Sequence, residues 1–218
     1  MGRKRDETGL RRGQILGQAI HAIGERGYYG FTIPELAQRC GLSNAGLLHH
    51  FPSKDQLLLA VLREIEERET HILLPLVQAA STGSRDARSM RAVVEVLRAM
   101  VVRSTTQPAL RRLFAELQVE SLSRSHPAYA WWQRRDVQLL SLFSSLVGPY
   151  VADPSSTALQ LIAMLDGLFL RWLRADWTLD SLDEWDRALA KLLPEFSAVL
   201  ASSHRPRPEV LKVRRKVG

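Results

Sequence analysis

Residues 32–56 read TIPELAQRCGLSNAGLLHHFPSKDQ, from Thr32 to Gln56, and their reading decides the fold. Thr32 followed three residues on by Glu35 makes a capping box, in which hydroxyl and carboxylate satisfy free N–H groups at a helix start. Pro34 falls in the first turn, where its missing N–H costs nothing. Leu36 and Ala37 face inward. Gly41 ends this short helix where a turn needs positive φ. Ser43 caps a second short helix that runs to about His49, with Leu47 and Phe51 as its buried face. Pro52 breaks the chain, and Ser53 with Gln56 makes another capping box that opens a longer helix at Lys54. Two short helices joined by a tight glycine turn can present the second to a DNA major groove.

Upstream, Ile15, Leu16, Ala19, Ile20, Ala22 and Ile23 form one apolar stripe on a helix from about Leu10 to Arg26, capped by Gly27. Tyr28, Tyr29 and Phe31 link it to the next helices and are expected to pack beneath them. Downstream, the helix from Lys54 to about Ala80 is roughly 40 Å long at 1.5 Å per residue. Its middle, Arg63 to Glu69, is charged nearly all round, as in a helix bridging two bodies. Pro75 is expected to kink or break it. Further helices are predicted from about Ser89 to Thr105, from Gln107-Pro108, from His126-Pro127, from Asp153-Pro154 to about Ala175, and from a Ser181/Glu184 capping box to near Ala201. No alternating run of strand length interrupts them. The expected fold is all-α with about nine helices. A helix-turn-helix head occupies residues 1–53, a helical body residues 54–202, and a basic tail residues 203–218.

Charge is uneven along the 218 residues, whose net charge is +7. Residues 1–60 carry eight Lys/Arg against five Asp/Glu, residues 61–202 sixteen against seventeen, and residues 203–218 six against one. Basic ends beside a balanced middle suggest a polyanion contact. Arg3, Lys4 and Arg5 could form a basic arm reaching a minor groove; a loose solubilising end is the other reading. The N-terminus lacks an apolar core, so a secretory signal is not expected. The longest apolar run, Leu159 to Leu173, is interrupted by Asp166 and Arg171, so no membrane span is expected. The single cysteine, Cys40, fits a reducing cytoplasm. Paired carboxylates, a nucleophile–base set, a phosphate loop and metal-ligand spacing are all missing, so neither an enzyme, a cofactor nor a metal is expected. His49 and His50 diverge around their helix and have no Cys, Asp or Glu at ligand spacing.

Roles on DNA follow from residue chemistry. Thr32 and Ser43 cap helices whose N-termini can face phosphate. Lys54 would add a point charge and His50 a donor to the same backbone, positioning the head without reading sequence. Asn44 is the best base reader, because an amide pairs bidentately with adenine. Ala45, Gly46 and Leu48 offer close approach or contact with a thymine methyl.

Residues 31–58, FTIPELAQRCGLSNAGLLHHFPSKDQLL, closely resemble the DNA-binding head of the tetracycline-repressor (TetR) family, in caps, turn glycine, buried Leu47 and Phe51, and the Phe-Pro-Ser-Lys junction. The likeness covers about a quarter of the chain, from the first helix to the start of the fourth. FAELQVESLSRSHPAYAWWQRR and the Asp166-Gly167-Leu168 step are similar, more weakly, to the family's regulatory bodies. Family members usually carry Thr at Gly46 and Tyr, a phosphate donor, at Leu48; here His49 and His50 are the available substitutes. The resemblance implies a DNA-binding transcriptional regulator, a repressor that binds a palindromic operator as a homodimer and is released by a small-molecule effector. The alternative is a helical DNA-binding regulator without such a ligand, controlled by a protein partner or by abundance. Under the first reading a cavity would be lined by Leu97, Met100, Phe114, Leu117, Trp132, Phe143, Met164 and Asp166. Asp166 would need a partner, expected to be Arg171, Arg174 or an arginine on another helix. The family's two-fold interface would fall on the last two helices, through Leu159, Ile162, Leu170, Leu173, Leu189, Leu193 and Phe196.

Overall fold

A computed structural model describes residues 2–81 and 84–202. Among these it contains ten α-helices, one 3-10 turn and no strand. The head consists of α1 (Gly2–Gly30), α2 (Ile33–Arg39) and α3 (Asn44–His50). From it runs α4 (Lys54–Ala80), and the rest of the body is α5 (Ala87–Thr106), α6 (Pro108–Glu120), α7 (Tyr129–Val147), α8 (Pro154–Arg174), α9 (Ser181–Leu192) and α10 (Ser197–Ser202). The expected tail, residues 203–218, lies outside the described residues.

Local chemistry sets the boundaries. Thr32 Oγ1 accepts from the Glu35 amide at 3.3 Å, Ser43 Oγ from that of Gly46 at 3.1 Å, and Ser53 Oγ from that of Gln56 at 3.1 Å. Each satisfies a first-turn N–H that the helix itself cannot. Asp153 does the same for Ser156 at the start of α8, at 3.0 Å. Gly41 takes φ of 64°, the left-handed value its turn requires.

Five expectations are corrected. α1 begins at Gly2, so Arg3, Lys4 and Arg5 lie on a helix and not on an extended arm. Pro75 does not break α4, which continues past it to Ala80. α7 starts at Tyr129, after turns that consume His126 and Pro127. The cap of α9 is Asp180, whose carboxylate accepts from the Asp183 amide at 3.0 Å; Ser181 is already helical and buried. That helix ends at Leu192 because Pro194 cannot continue the hydrogen-bond ladder, and α10 forms beyond the break.

The apolar interior falls into two clusters. One joins Ile15, Phe31, Leu36, Leu47 and Phe51 of the head to Leu58 and Val61 of α4, then to Leu113 and Leu117 of α6 and Trp131 and Trp132 of α7. It crosses the expected boundary at residue 53, so α6 and α7 share the head's core. The other packs α5, α7, α8, α9 and α10 around Phe143, Trp185 and Phe196. Gly24 is what allows α1 to lie close on α6: a Cβ there would stand 2.8 Å from the Ala109 carbonyl oxygen. Ile65 of α4 is buried, and Glu66 and Glu69 turn into the body, so the charged middle of α4 is not solvated all round.

Candidate nucleic-acid interface and body cavity

On α3, Asn44, Ala45, Leu48 and His49 are exposed, Gly46 and His50 are half-buried, and Leu47 is buried. The exposed four sit at i, i+1, i+4 and i+5, one face of a helix opposite its core contact. Asn44 is the first helical residue, so Ser43 does the capping and leaves the Asn44 amide uncommitted among the described residues. Arg12 of α1 holds the far end of α3: it donates to the His50 carbonyl at 3.1 Å, with its guanidinium 4.2 Å from the Phe51 ring centre. Arg26 and Arg39 are paired with Glu35 and Glu25. Thr32 is exposed at the start of α2, and its hydroxyl donates to Glu35 as well as capping the helix.

The Lys54 side chain is turned away from the role assigned to it. Its ammonium donates to the Phe31 carbonyl at 2.6 Å and lies 4.5 Å and 4.7 Å from the Phe31 and Tyr28 ring centres. Burial lowers its pKa, with Glu120 and Asp55 opposing. The reason is geometric: the chain leaves α1 through an aromatic corner, and the first turn of α4 passes over it. Lys54→Met is expected to cost about 1–2 kcal/mol of stability, from the lost bond and ring contacts. The salt slope of DNA binding should not move; a slope shallower by about one would return Lys54 to a phosphate.

The same corner ties head to body. Gly27, with φ of 70° and ψ of 177°, breaks the regular course of α1. The amides freed by the break point at Glu120, the last residue of α6: Tyr28 N donates to Oε2 at 2.7 Å and Tyr29 N to Oε1 at 3.4 Å. The Tyr28 hydroxyl donates to Asp55 of α4. Tyr28 and Phe31 are buried, whereas Tyr29 is exposed. Buried His126 packs edge-on against both tyrosines, accepts from the Ala128 amide through Nδ1 at 3.1 Å, and places Nε2 3.8 Å from Glu120 Oε2. Burial holds the imidazole below its ordinary pKa, Glu120 and Asp55 opposing. A folded value below the unfolded one favours the fold above about pH 6.5, and that contribution is lost as pH falls toward the folded value. The melting temperature should therefore fall through that window, and His126→Gln should flatten the slope.

Between α4, α5, α6, α7 and α8 the body holds a partly open cavity of roughly 320 Å³. Five of the residues expected to line it do so: Met100, Phe114, Trp132, Phe143 and Asp166. Leu97 and Leu117 are instead packed in the cores, and Met164 packs on the second core outside the cavity wall. Leu73, Leu74, Val77, Leu139, Leu142, Ile162, Leu165 and Phe169 complete the apolar lining. Asp166 accepts from Gln118 of α6 at 3.0 Å, and the arginines that feel it are Arg111 and Arg135, not Arg171 or Arg174.

Arg111 and Arg135 were not singled out from sequence. They belong to α6 and α7 and face one cavity. Arg111 lies 4.0 Å from the Phe169 ring centre and 5.6 Å from that of Phe114; Arg135 is 4.8 Å from Phe114 and 5.4 Å from Trp131. Neither makes an ion pair or hydrogen bond among the described residues. Burial pushes the Arg111 guanidinium down to about 10, Asp166 opposing and Arg135 adding to the fall. Burial lowers Arg135 as well. The carboxylates nearby are otherwise engaged: Glu69 accepts from Arg103 at 2.7 Å and 3.1 Å, and Glu66 from the Trp131 indole at 3.3 Å. Asp136 is exposed, its carboxyl pushed up by burial and Asp166 against the pull of Arg135.

The residues expected at a two-fold interface separate. Leu159 and Leu170 are 61% and 42% exposed on α8, with Ala163 and Gly167 exposed between them and Leu173 half-buried. Leu189, Leu193 and Phe196 are 0% exposed and fill the body's own core, so these three are not available to a second chain; Ile162 is half-buried and lines the cavity. Among the described residues no three His, Cys, Asp or Glu side chains gather to hold a metal ion, and no helix is long and apolar enough to cross a membrane.

A capped, glycine-turned helix pair on a helical body defines a helix-turn-helix DNA-binding protein. A family model described as bacterial regulatory proteins, tetR family, matches residues 15–61. The HTH-type transcriptional regulator BetI of Escherichia coli is 29% identical over 182 residues, covering 80% of this chain and 87% of BetI. The nucleoid occlusion factor SlmA of Haemophilus influenzae is 24% identical over 194 residues, 86% of each chain. The crystal structure of AibR in complex with isovaleryl coenzyme A and operator DNA matches with a TM-score of 0.67 at 22% identity, over 84% of this chain and 98% of AibR. These findings support a TetR-family DNA-binding transcriptional regulator, with the family's DNA-binding head matched over residues 15–61.

Proposed function

We propose that the chain is a cytoplasmic, homodimeric repressor that binds a palindromic operator and leaves it when a small molecule enters the body. The head over residues 1–53 binds DNA, and the body over 54–202 holds ligand and partner chain. The cavity carries this reading. Its walls include α4, which starts at the end of the head, and α6, which ends at the Glu120 contact with Tyr28. A ligand that fits the cavity better in one head position shifts the population toward it, by no more than its differential affinity for the two states. AibR, of like fold, has been crystallised with both isovaleryl coenzyme A and operator DNA, which supports a regulator that binds both a small molecule and DNA. The alternative without a small-molecule ligand would be favoured by a filled body, and the open cavity speaks for the first reading.

One recognition helix contacts too few base pairs for useful specificity. Two-fold pairing would place two of them about 34–36 Å apart, or a multiple of it. The exposed Leu159–Leu170 strip of α8 supports pairing there. Salt-dependent retardation of DNA from the gene's own upstream region tests operator binding. Light scattering at micromolar concentration should give twice the chain mass of 24.6 kDa; a monomeric mass would refute the dimer.

A further inference from the structure

The cavity described above contains an imbalance. Three of its four carboxylates are engaged, Asp136 at the exposed side being the fourth, and its two arginines are not. Glu69 is bound by Arg103, Glu66 by Trp131 and Asp166 by Gln118. Arg111 and Arg135 donate to nothing among the described residues, although each guanidinium carries five N–H groups. They lie in the interior on the rings of Phe114, Phe169 and Trp131, contacts that stabilise a cation but accept no conventional hydrogen bond. The Arg111 Nε is also closed off from solvent without an acceptor. Both arginines are half-buried, and charges so withdrawn from water without an acceptor are costly unless an anion meets them. Asp166 acts on both, yet forms an ion pair with neither. The rest of the lining is largely apolar, with Leu73, Val77, Leu139, Phe143 and Leu165 along it.

We propose that the effector is an amphipathic anion: a carboxylate or phosphate head received by Arg111 and Arg135, with an aliphatic body along the apolar wall. This rests on the ligand-responsive reading above and names the chemistry of its ligand. Guanidinium groups suit such a head because their planar forks match its oxygens two at a time. A cationic ligand would meet two like charges, with Asp136 the one lining carboxylate left without a bond among the described residues. A neutral alcohol would offer a single oxygen to two guanidinium forks.

Four ten-carbon probes with different heads test this on the full chain without DNA: decanoate, decyl phosphate, decanol and decylamine. Calorimetry can be paired with tryptophan fluorescence, since Trp132 lines the cavity. At least one of the anions should bind about tenfold or more tightly than decanol, with decylamine weakest. Comparing decanoate with decyl phosphate identifies which head the site prefers. Arg111→Gln and Arg135→Gln should each weaken the anion by about tenfold while moving decanol by less than about threefold. Arg111→Lys and Arg135→Lys, which keep the charge but lose the fork, should fall between, and they serve if the Gln variants do not fold. The proposal is overturned if decylamine or decanol binds as tightly as the better anion, if none of the four binds, or if the Gln variants keep the anion preference. Operator release is scored separately. Decanoate binding without release would leave the anion site standing and remove its effector role. Release by decylamine alone would keep the ligand-responsive reading and remove the anion.

Discussion

Asn44→Ala is expected to weaken operator binding by about 1–3 kcal/mol per half-site, the worth of one bidentate amide–adenine pair. Over two half-sites of a palindrome that is roughly thirty-fold to twenty-thousand-fold. The loss would belong to recognition and not to folding. Asn44 is exposed at the first position of α3, and its neighbour Ser43 supplies the cap. Alanine is at least as good a helix former there, so the fold should be unaffected. The amide carries no charge and displaces no counterion, so the slope of affinity against salt should be unchanged. The rest of the exposed face makes the effect large. Ala45 and Leu48 offer only apolar contact, which leaves His49 as the other exposed polar group. Titrating wild type and variant on operator and on unrelated DNA at two salt concentrations decides it. An equal loss on both DNAs would assign Asn44 to the backbone instead of a base.

The second expectation concerns the corner between head and body. Gly27→Ala should lower stability by about 2–5 kcal/mol, or roughly 5–15 °C in melting temperature for a chain of this size. Two causes add. A φ of 70° with ψ of 177° is backbone that essentially only glycine adopts, and holding another residue there costs about 1–3 kcal/mol. A Cβ would also stand 2.4 Å from Glu120 Oε1, so the carboxylate must swing away from the Tyr28 amide or the backbone must shift, at about 1–3 kcal/mol more. Glu120→Ala removes the second cause and leaves the first. Gly27→Ala should therefore cost less in that background, by about 1 kcal/mol or more. Strict additivity of the two changes would mean that the carboxylate does not hold the corner. The corner also has a route to the cavity: Gln118, two residues before Glu120 on α6, bonds Asp166.

The head was legible because its signals are short. A cap is a contact over three residues, and Thr32–Glu35, Ser43–Gly46 and Ser53–Gln56 are read directly from the residues involved. The positive φ of Gly41 is equally local. Legibility ended where distant segments meet. Lys54 read as a phosphate contact because a cation at a helix start beside a recognition helix suggests one. Its inward turn depends on the carbonyl of Phe31, on the far side of α2 and α3 in sequence. The apolar period continues beyond Pro194 and predicts one helix through it, although the hydrogen-bond ladder cannot pass the proline.

Local residue chemistry was enough for the all-helical architecture, the capped head and the family likeness, since helix caps and a 3.6-residue period act within a turn or two. Packing settled the rest. Leu159 and Leu189 look alike in sequence, yet one is open on α8 and the other closed in the body's core. Arg111 and Arg135 lie on different helices and read as two surface arginines until α6 and α7 fold around one cavity. Burial, and therefore the need of those charges for a partner, depends on which helix faces meet, and no spacing along the chain encodes that.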